Sequence, residues 1–210
     1  MADHVFETAS SETLYTGKIF ALRSDRVRMP GGAVAVREVV EHYGAVAIAA
    51  LDAENNLPLI YQYRHAFGRR LWELPAGLLD IAGEPPQQTA ARELQEEAGL
   101  RAETWQVLAD LNSAPGFSDE SVRIYLATGL SEVDRPEAHH EEADMTMRWF
   151  PVADAARMVF SGEVVNSIAI AGILAAHAVT EGFARPRPAD SPWIDRPTAF
   201  AARKGGRAAQ

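Results

Sequence analysis

Between Leu74 and Leu100 the chain reads Leu-Pro-Ala-Gly-Leu-Leu-Asp-Ile-Ala-Gly-Glu-Pro-Pro-Gln-Gln-Thr-Ala-Ala-Arg-Glu-Leu-Gln-Glu-Glu-Ala-Gly-Leu. Glu93, Glu96 and Glu97 stand at i, i+3 and i+4, which on a helix makes them neighbours. Such carboxylates repel one another by about a few tenths of a kcal/mol per pair. The crowding makes sense where hard divalent cations lie among them. Magnesium prefers oxygen ligands, keeps several waters and takes further ligands from substrate phosphates. The chemistry implied is metal-assisted attack of water on phosphorus. Arg92 could pair with Glu84 or Glu96 and hold the ligands in place. An acidic helix face is ordinarily just a solvated face. Here, however, six identities (Glu84, Arg92, Glu93, Glu96, Glu97 and Gly99) are fixed jointly, a pattern expected by chance in about one in ten million windows or fewer.

The element that must position these groups is a helix over Pro85–Ala98. Pro85 suits a first helical turn, where the missing N–H costs nothing, and Glu84 lies beside the positive N-terminus. Gly99 stands where a left-handed C-cap belongs. Ala90, Ala91, Leu94 and Ala98 cluster within about 100° of arc and form the expected core stripe, with the glutamates along its edge.

This stretch resembles the Nudix box, Gly-x5-Glu-x7-Arg-Glu-U-x-Glu-Glu-x-Gly-U with U a bulky aliphatic. Glu84, Arg92, Glu93, Leu94, Glu96, Glu97, Gly99 and Leu100 match in register, while six residues rather than five separate Gly77 from Glu84. The added residue falls before the helix and leaves the carboxylate face intact. Pro115, sixteen residues past Gly99 within Ala114-Pro-Gly-Phe-Ser-Asp-Glu120, is similar to the proline that marks the ADP-ribose pyrophosphatase branch. Arg37-Glu38, Tyr63-Arg64 and Trp72-Glu-Leu-Pro-Ala-Gly77 extend the likeness over most of the chain.

The resemblance implies an α+β protein with the Nudix α/β/α sandwich, hydrolysing ADP-ribose to AMP and ribose 5-phosphate with Mg2+, or Mn2+ in its place. It implies Glu93 and Glu97 as metal ligands, completed by the carbonyl of Ala76, with Glu96 holding a second ion directly or through water. For the general base it favours Glu142, with Glu141 as runner-up, in the loop His139-His140-Glu141-Glu142; Glu120 and a box glutamate stay open. Arg37 and Arg64 could contact phosphate or adenine, Glu38 the adenine amino group, and Phe20 could stack on the base. Pro115 and Gly116 belong to the same substrate-binding set, and Glu73 faces either the ribose or an arginine. The bland alternatives are a cross-strand Arg37–Glu38 pair and a core Phe20. Similar enzymes form homodimers that exchange an N-terminal β-region. Rival readings are another nucleoside diphosphate as substrate, or a non-catalytic ADP-ribose sensor. The intact glutamates and the lack of a basic recognition helix weigh against the sensor.

The rest of the sequence supports one mixed domain of moderate size, or one domain with an N-terminal appendage, in 210 residues, 47% of them apolar. A net charge of −9 argues against a nucleic-acid or anionic-membrane partner. The absence of cysteine excludes disulfides, thiolate metal sites and thiol nucleophiles. With no basic stretch leading an apolar run at the N-terminus, the expected location is cytoplasmic. Alternation over residues 12–43 around Met-Pro-Gly-Gly32 predicts a hairpin. Strands are expected at Ala45–Leu51, Leu57–Arg64, Trp105–Leu111, Ser121–Thr128 and Met145–Phe150, and further helices at Val152–Phe160 and Val164–Glu181. The expected organisation is a β-region over 1–43 for dimerisation and adenine contacts, a catalytic domain over 44–184, and a Pro-rich arm with a basic, disordered tail over 185–210.

Overall fold

A computed structural model describes residues 4–135 and 144–207. The chain forms two compact units. One comprises Met1–Gly44, Asn112–Ser121 and Asp195–Gln210, the other Ala45–Leu111 and Val122–Ile194.

The first unit is built on β1 (Thr8–Thr16), β2 (Phe20–Arg28) and β3 (Val34–His42), an antiparallel sheet in that order. The turn around Met-Pro-Gly-Gly32 closes β2 on β3, with Gly31 and Gly32 at φ of 85° and 89°. That conformation is one glycine adopts without steric cost. The expected hairpin is thus there, with an added outer strand that begins four residues before the alternation at position 12. Helix α4 (Ala199–Arg207) completes the unit. Its Phe200 is fully buried and meets the Tyr43 ring edge to face at 4.6 Å. Arg203 donates to both oxygens of the buried Glu41 at 2.7 and 2.9 Å. The expectation of a disordered basic tail is therefore corrected over Ala199–Arg207, which is helical. Ala199, Ala201, Ala202, Arg203 and Lys204 are strong helix formers, and the burial of Phe200 holds the turn down.

The second unit contains a five-stranded sheet of order β11-β8-β9-β4-β7, from β4 (Ala45–Ala50), β7 (Ala76–Leu78), β8 (Leu100–Asn112), β9 (Ser121–Glu132) and β11 (Arg187–Pro188). A second sheet has the order β10-β5-β6, with β5 (Asn56–Arg64), β6 (Arg69–Glu73) and β10 (Thr146–Pro151). The helices are α1 (Pro86–Ala98), α2 (Val152–Phe160) and α3 (Ser167–Thr180). Every residue of β4 is buried, because successive side chains point to opposite faces and both faces are covered. Val46, Ile48 and Ala50 pack with Ala90, Leu94 and Ala98 of α1. Ala45, Ala47 and Ala49 pack with Ala155 of α2 and with Ala169, Ile173 and Ala176 of α3. The layering is the expected α/β/α sandwich.

Most elements fall where periodicity placed them, and the differences have local causes. Helix α3 starts later than expected because Asn166 caps it, its side chain accepting from the Ala169 N–H at 2.9 Å. Strand β8 begins immediately after Gly99, which turns the chain at φ 66° and lets pairing start five residues early. At Gly172 a Cβ would come within 2.4 Å of Leu74 Cδ1 and 3.2 Å of Ile124 Cγ2, so an added methyl there would displace these core side chains. Among the described residues no helix is long and apolar enough to cross a membrane.

Candidate functional site

The carboxylate-bearing helix α1 is held at both ends by local chemistry. Pro85 is its N-cap and Pro86 follows in the first turn, where neither needs a donor. Gly99 is the left-handed C-cap, donating to Gln95 O at 3.0 Å. The face turned inward is Thr89, Ala90, Leu94, Glu97 and Ala98. Ala91, expected in the core stripe, is exposed. The helix is rotated toward its glutamate edge, which buries Thr89 and Glu97 on one side of the stripe and exposes Ala91 on the other.

Burying Glu97 requires a donor. Its Oε2 accepts the N–H of Ala76 at 2.9 Å, at the start of β7. Glu93 lies against the next residue of that strand: a Cβ on Gly77 would sit 2.1 Å from the Glu93 carboxyl group. Glycine at 77 is thus what allows the Glu93 carboxylate to lie against the strand. Burial pushes the Glu93 carboxyl up to about 7, against the opposing pull of Arg92.

Arg92 is the hub of the helix. It donates to Glu84 through Nε (3.3 Å) and Nη2 (3.2 Å), and through Nη1 to Glu93 (2.7 Å) and Glu96 (2.9 Å). Glu84 is held below the usual carboxylate range, first by Arg92, with burial opposing and the Thr89 hydroxyl assisting. Both pairings expected of Arg92 are present together. Thr89, fully buried and donating to Glu84 at 2.8 Å, went unrecognised in the sequence. Its place on the inward face of α1, a turn before Glu93, was the available signal.

These residues fit a hard divalent cation in donor chemistry. All are oxygen donors, and the burial of Glu93 leaves an anionic group that one shared guanidinium does not fully stabilise. Among the described residues no three acidic or histidine side chains converge as a ready-made cage. That accords with a site whose remaining ligands are water and phosphate oxygens.

A second cluster lies on the β5–β6 hairpin. Glu73, 3% exposed, accepts from Gln62 Nε2 (3.0 Å), Arg64 Nε (2.9 Å) and Arg64 Nη2 (2.6 Å). Of the two roles considered for Glu73, this geometry serves the arginine. Gln62 was missed, although it lies two residues before Arg64 and so on the same strand face.

The other expected substrate residues belong to the first unit. Phe20 opens β2, exposed, its ring 5.6 Å from that of Tyr15. It is not the core aromatic of the bland reading. Arg37 and Glu38 are exposed on β3, where Arg37 stands opposite Asp25 and Glu38 opposite Ser24. Pro115 and Gly116 are exposed in a turn closed by Phe117 N–H to Ala114 O at 3.0 Å. Glu120 approaches His42 Nδ1 at 3.6 Å. Glu141 and Glu142, with His139 and His140, lie outside the described residues.

Comparison with known proteins follows the same outline. The NUDIX domain family matches residues 30–166, and a nucleoside diphosphate sugar hydrolase N-terminal domain matches residues 6–40. An ADP-ribose pyrophosphatase of Mycobacterium tuberculosis is 74% identical over 207 residues, covering 99% of this chain and 100% of that protein. An ADP-ribose pyrophosphatase of Bacillus subtilis is 34% identical over 161 residues, 77% of this chain and 86% of its own. A solved ADP compounds hydrolase superposes with a TM-score of 0.73 at 19% identity, covering 88% of this chain and 100% of its own, and so speaks for the fold alone.

Proposed function

The chain belongs to the Nudix family, and from that premise we propose that it hydrolyses the diphosphate of ADP-ribose to AMP and ribose 5-phosphate, with Mg2+ or, in its place, Mn2+. The observation that carries this is the Arg92-tied carboxylate face of α1, with Glu93 seated on Gly77 and Glu97 on the Ala76 N–H. It is read together with 74% identity to an enzyme named for that reaction. Nudix hydrolases need divalent metal ions. A bound ion would neutralise the diphosphate and lower the pKa of an attacking water.

The chain's own residues then have definite tasks. Glu93, Glu97 and the Ala76 carbonyl would hold the metal, with Glu96 beside them. Arg92 keeps Glu84, Glu93 and Glu96 in one arrangement, so their orientation is set before substrate arrives. Glu142, with Glu141 as the alternative, would take the proton from the attacking water; the P–O–P bond breaks and the leaving phosphate takes the displaced electron pair. Phe20, Arg37, Glu38, Arg64, Pro115, Gly116 and Glu120 would grip the substrate. Leu14, Tyr15, Val34 and Val36 are all exposed on the three-stranded sheet, which supports a homodimer formed by that region; the proposed location is the cytoplasm.

A nucleotide sugar is the second candidate substrate, favoured by the family match over residues 6–40. The test is hydrolysis of ADP-ribose and ADP-sugars side by side, with and without magnesium, in 18O-labelled water. Magnesium-dependent release of AMP, fastest from ADP-ribose, is the expected result. Faster cleavage of an ADP-sugar would change the substrate, and binding without cleavage would overturn the enzymatic reading.

A further inference from the structure

The β5–β6 hairpin sets two arginines directly opposite each other: Arg64 and Arg69 are cross-strand partners in the antiparallel register. Directly opposed residues project to the same face, and like charges in that position are destabilising. The turn between them is closed by Gly68 in the left-handed conformation, φ 64°, so the pairing is imposed by a tight, defined connection. An anion beside such a pair offsets the repulsion.

Only one of the two charges is compensated from within the hairpin. Glu73 neutralises Arg64 through two parallel hydrogen bonds, and Gln62, on the same face, supplies the third donor to that carboxylate. Both oxygens of Glu73 are thereby engaged, and the plane of the Arg64 guanidinium is set by a group that is itself 3% exposed. The Arg64 side chain nevertheless remains 44% exposed. Arg69 is exposed and makes no ion pair among the described residues. Arg70, by contrast, projects to the other face opposite Tyr63 and is paired with Asp144.

We propose that Arg64 and Arg69 form a two-pronged clamp for a phosphate of the substrate, in which Arg69 is a binding residue and Glu73 and Gln62 are positioning residues for Arg64. The clamp rests on the reading of the chain as a nucleoside diphosphate hydrolase, and it adds Arg69 and Gln62 to the substrate machinery. It recognises the phosphate charge and not the base or the distal sugar. A pre-oriented guanidinium directly opposite a second, exposed one suits an anion with several oxygens, because the two arginines approach it from different strands.

The test uses the full chain. Arg69→Ala should raise KM for ADP-ribose about tenfold, the scale of one lost charge-assisted hydrogen bond, with the loss carried by KM more than by kcat. Its melting temperature should hold or rise, since the opposed charge is gone. Gln62→Leu should move KM in the same direction by less, and Glu73→Gln by at least as much, provided it folds. Binding of ADP in the presence of magnesium, measured by calorimetry, separates this proposal from the functional reading. If the wild type cleaves no ADP-ribose, the assigned activity falls, while the clamp is still judged on ADP. Weaker ADP binding in Arg69→Ala, with Arg101→Ala as the control at an exposed arginine on β8, sustains it. Equal KM or equal ADP affinity in wild type and Arg69→Ala overturns it.

Discussion

Replacing Gly77 by alanine adds a single methyl group at the point where Glu93 is seated. The new Cβ would lie 2.1 Å from the Glu93 carboxyl oxygen and carbon, where real Cβ contacts essentially never fall below 3.0 Å. About 1 Å of overlap must be relieved. The obstacle is the end of a flexible side chain, so Glu93 swings out and the backbone keeps its place. The displaced carboxylate loses its bond from Arg92 Nη1, now 2.7 Å long, which for a partly exposed charged pair is worth about 1–2 kcal/mol. Part of that is recovered by hydration, because burial is what raises the Glu93 carboxyl in the first place. The net change in stability should therefore be within about 1 kcal/mol, or a few degrees of melting temperature for a chain this long. Turnover should suffer far more, because misplacing a catalytic group by about 1 Å costs about 100-fold. The measurements are kcat for ADP-ribose at saturating magnesium and the melting temperature without metal. A Gly77→Ala protein with near-wild-type kcat would refute the claim that this glycine seats a functional carboxylate. One that fails to fold would show that the strand had to move and not the side chain.

Other outcomes follow from neighbouring geometry. Glu97→Gln should fold, since the amide oxygen still accepts from Ala76 N–H, while kcat falls by about 100-fold or more; near-normal turnover would remove Glu97 from the metal-binding set. The metal-free protein should lose stability as pH rises between the ordinary glutamate value near 4.5 and about 7. In that window the unfolded chain has released the Glu93 proton and the folded chain retains it. The loss is on the order of 3 kcal/mol at most, and Glu93→Gln should flatten it in denaturant melts taken across that range. Phe200→Ala should cost about 3–5 kcal/mol of the stability of the unit built on β1–β3, because the ring is fully buried against Tyr43. Hydrogen exchange in β3 measures this, and unchanged protection there would mean that α4 is not part of that unit's core.

Much of the site was legible in the sequence because it is local. Glu84, Arg92, Glu93, Glu96 and Glu97 lie within one helix and its entry loop, and helical spacing alone makes them neighbours. The strands flanking that helix announced themselves by branched residues between turn formers, and the sandwich followed from their order. Periodicity could not set the rotation of α1, which buries Glu97 and exposes Ala91. An apolar count treats alanine as core and glutamate as surface, whereas here a backbone N–H from β7 satisfies the carboxylate. The role of Glu73 also needed the fold. Gln62, Arg64 and Glu73 are eleven residues apart at most, but only the register of β5 on β6 brings them onto one face, and that register is set by a turn whose geometry composition leaves undetermined. The closing helix α4 has the same explanation. The segment holds good helix formers beside glycines, but a short helix needs tertiary contacts to persist, and it is the contact of Phe200 with Tyr43 and of Arg203 with the buried Glu41 that orders it. Short-range spacing determined which groups could do the chemistry. Contacts between residues far apart in the chain decided which of those groups are buried, paired and pre-oriented, because burial and hydrogen-bond satisfaction are properties of the assembled fold.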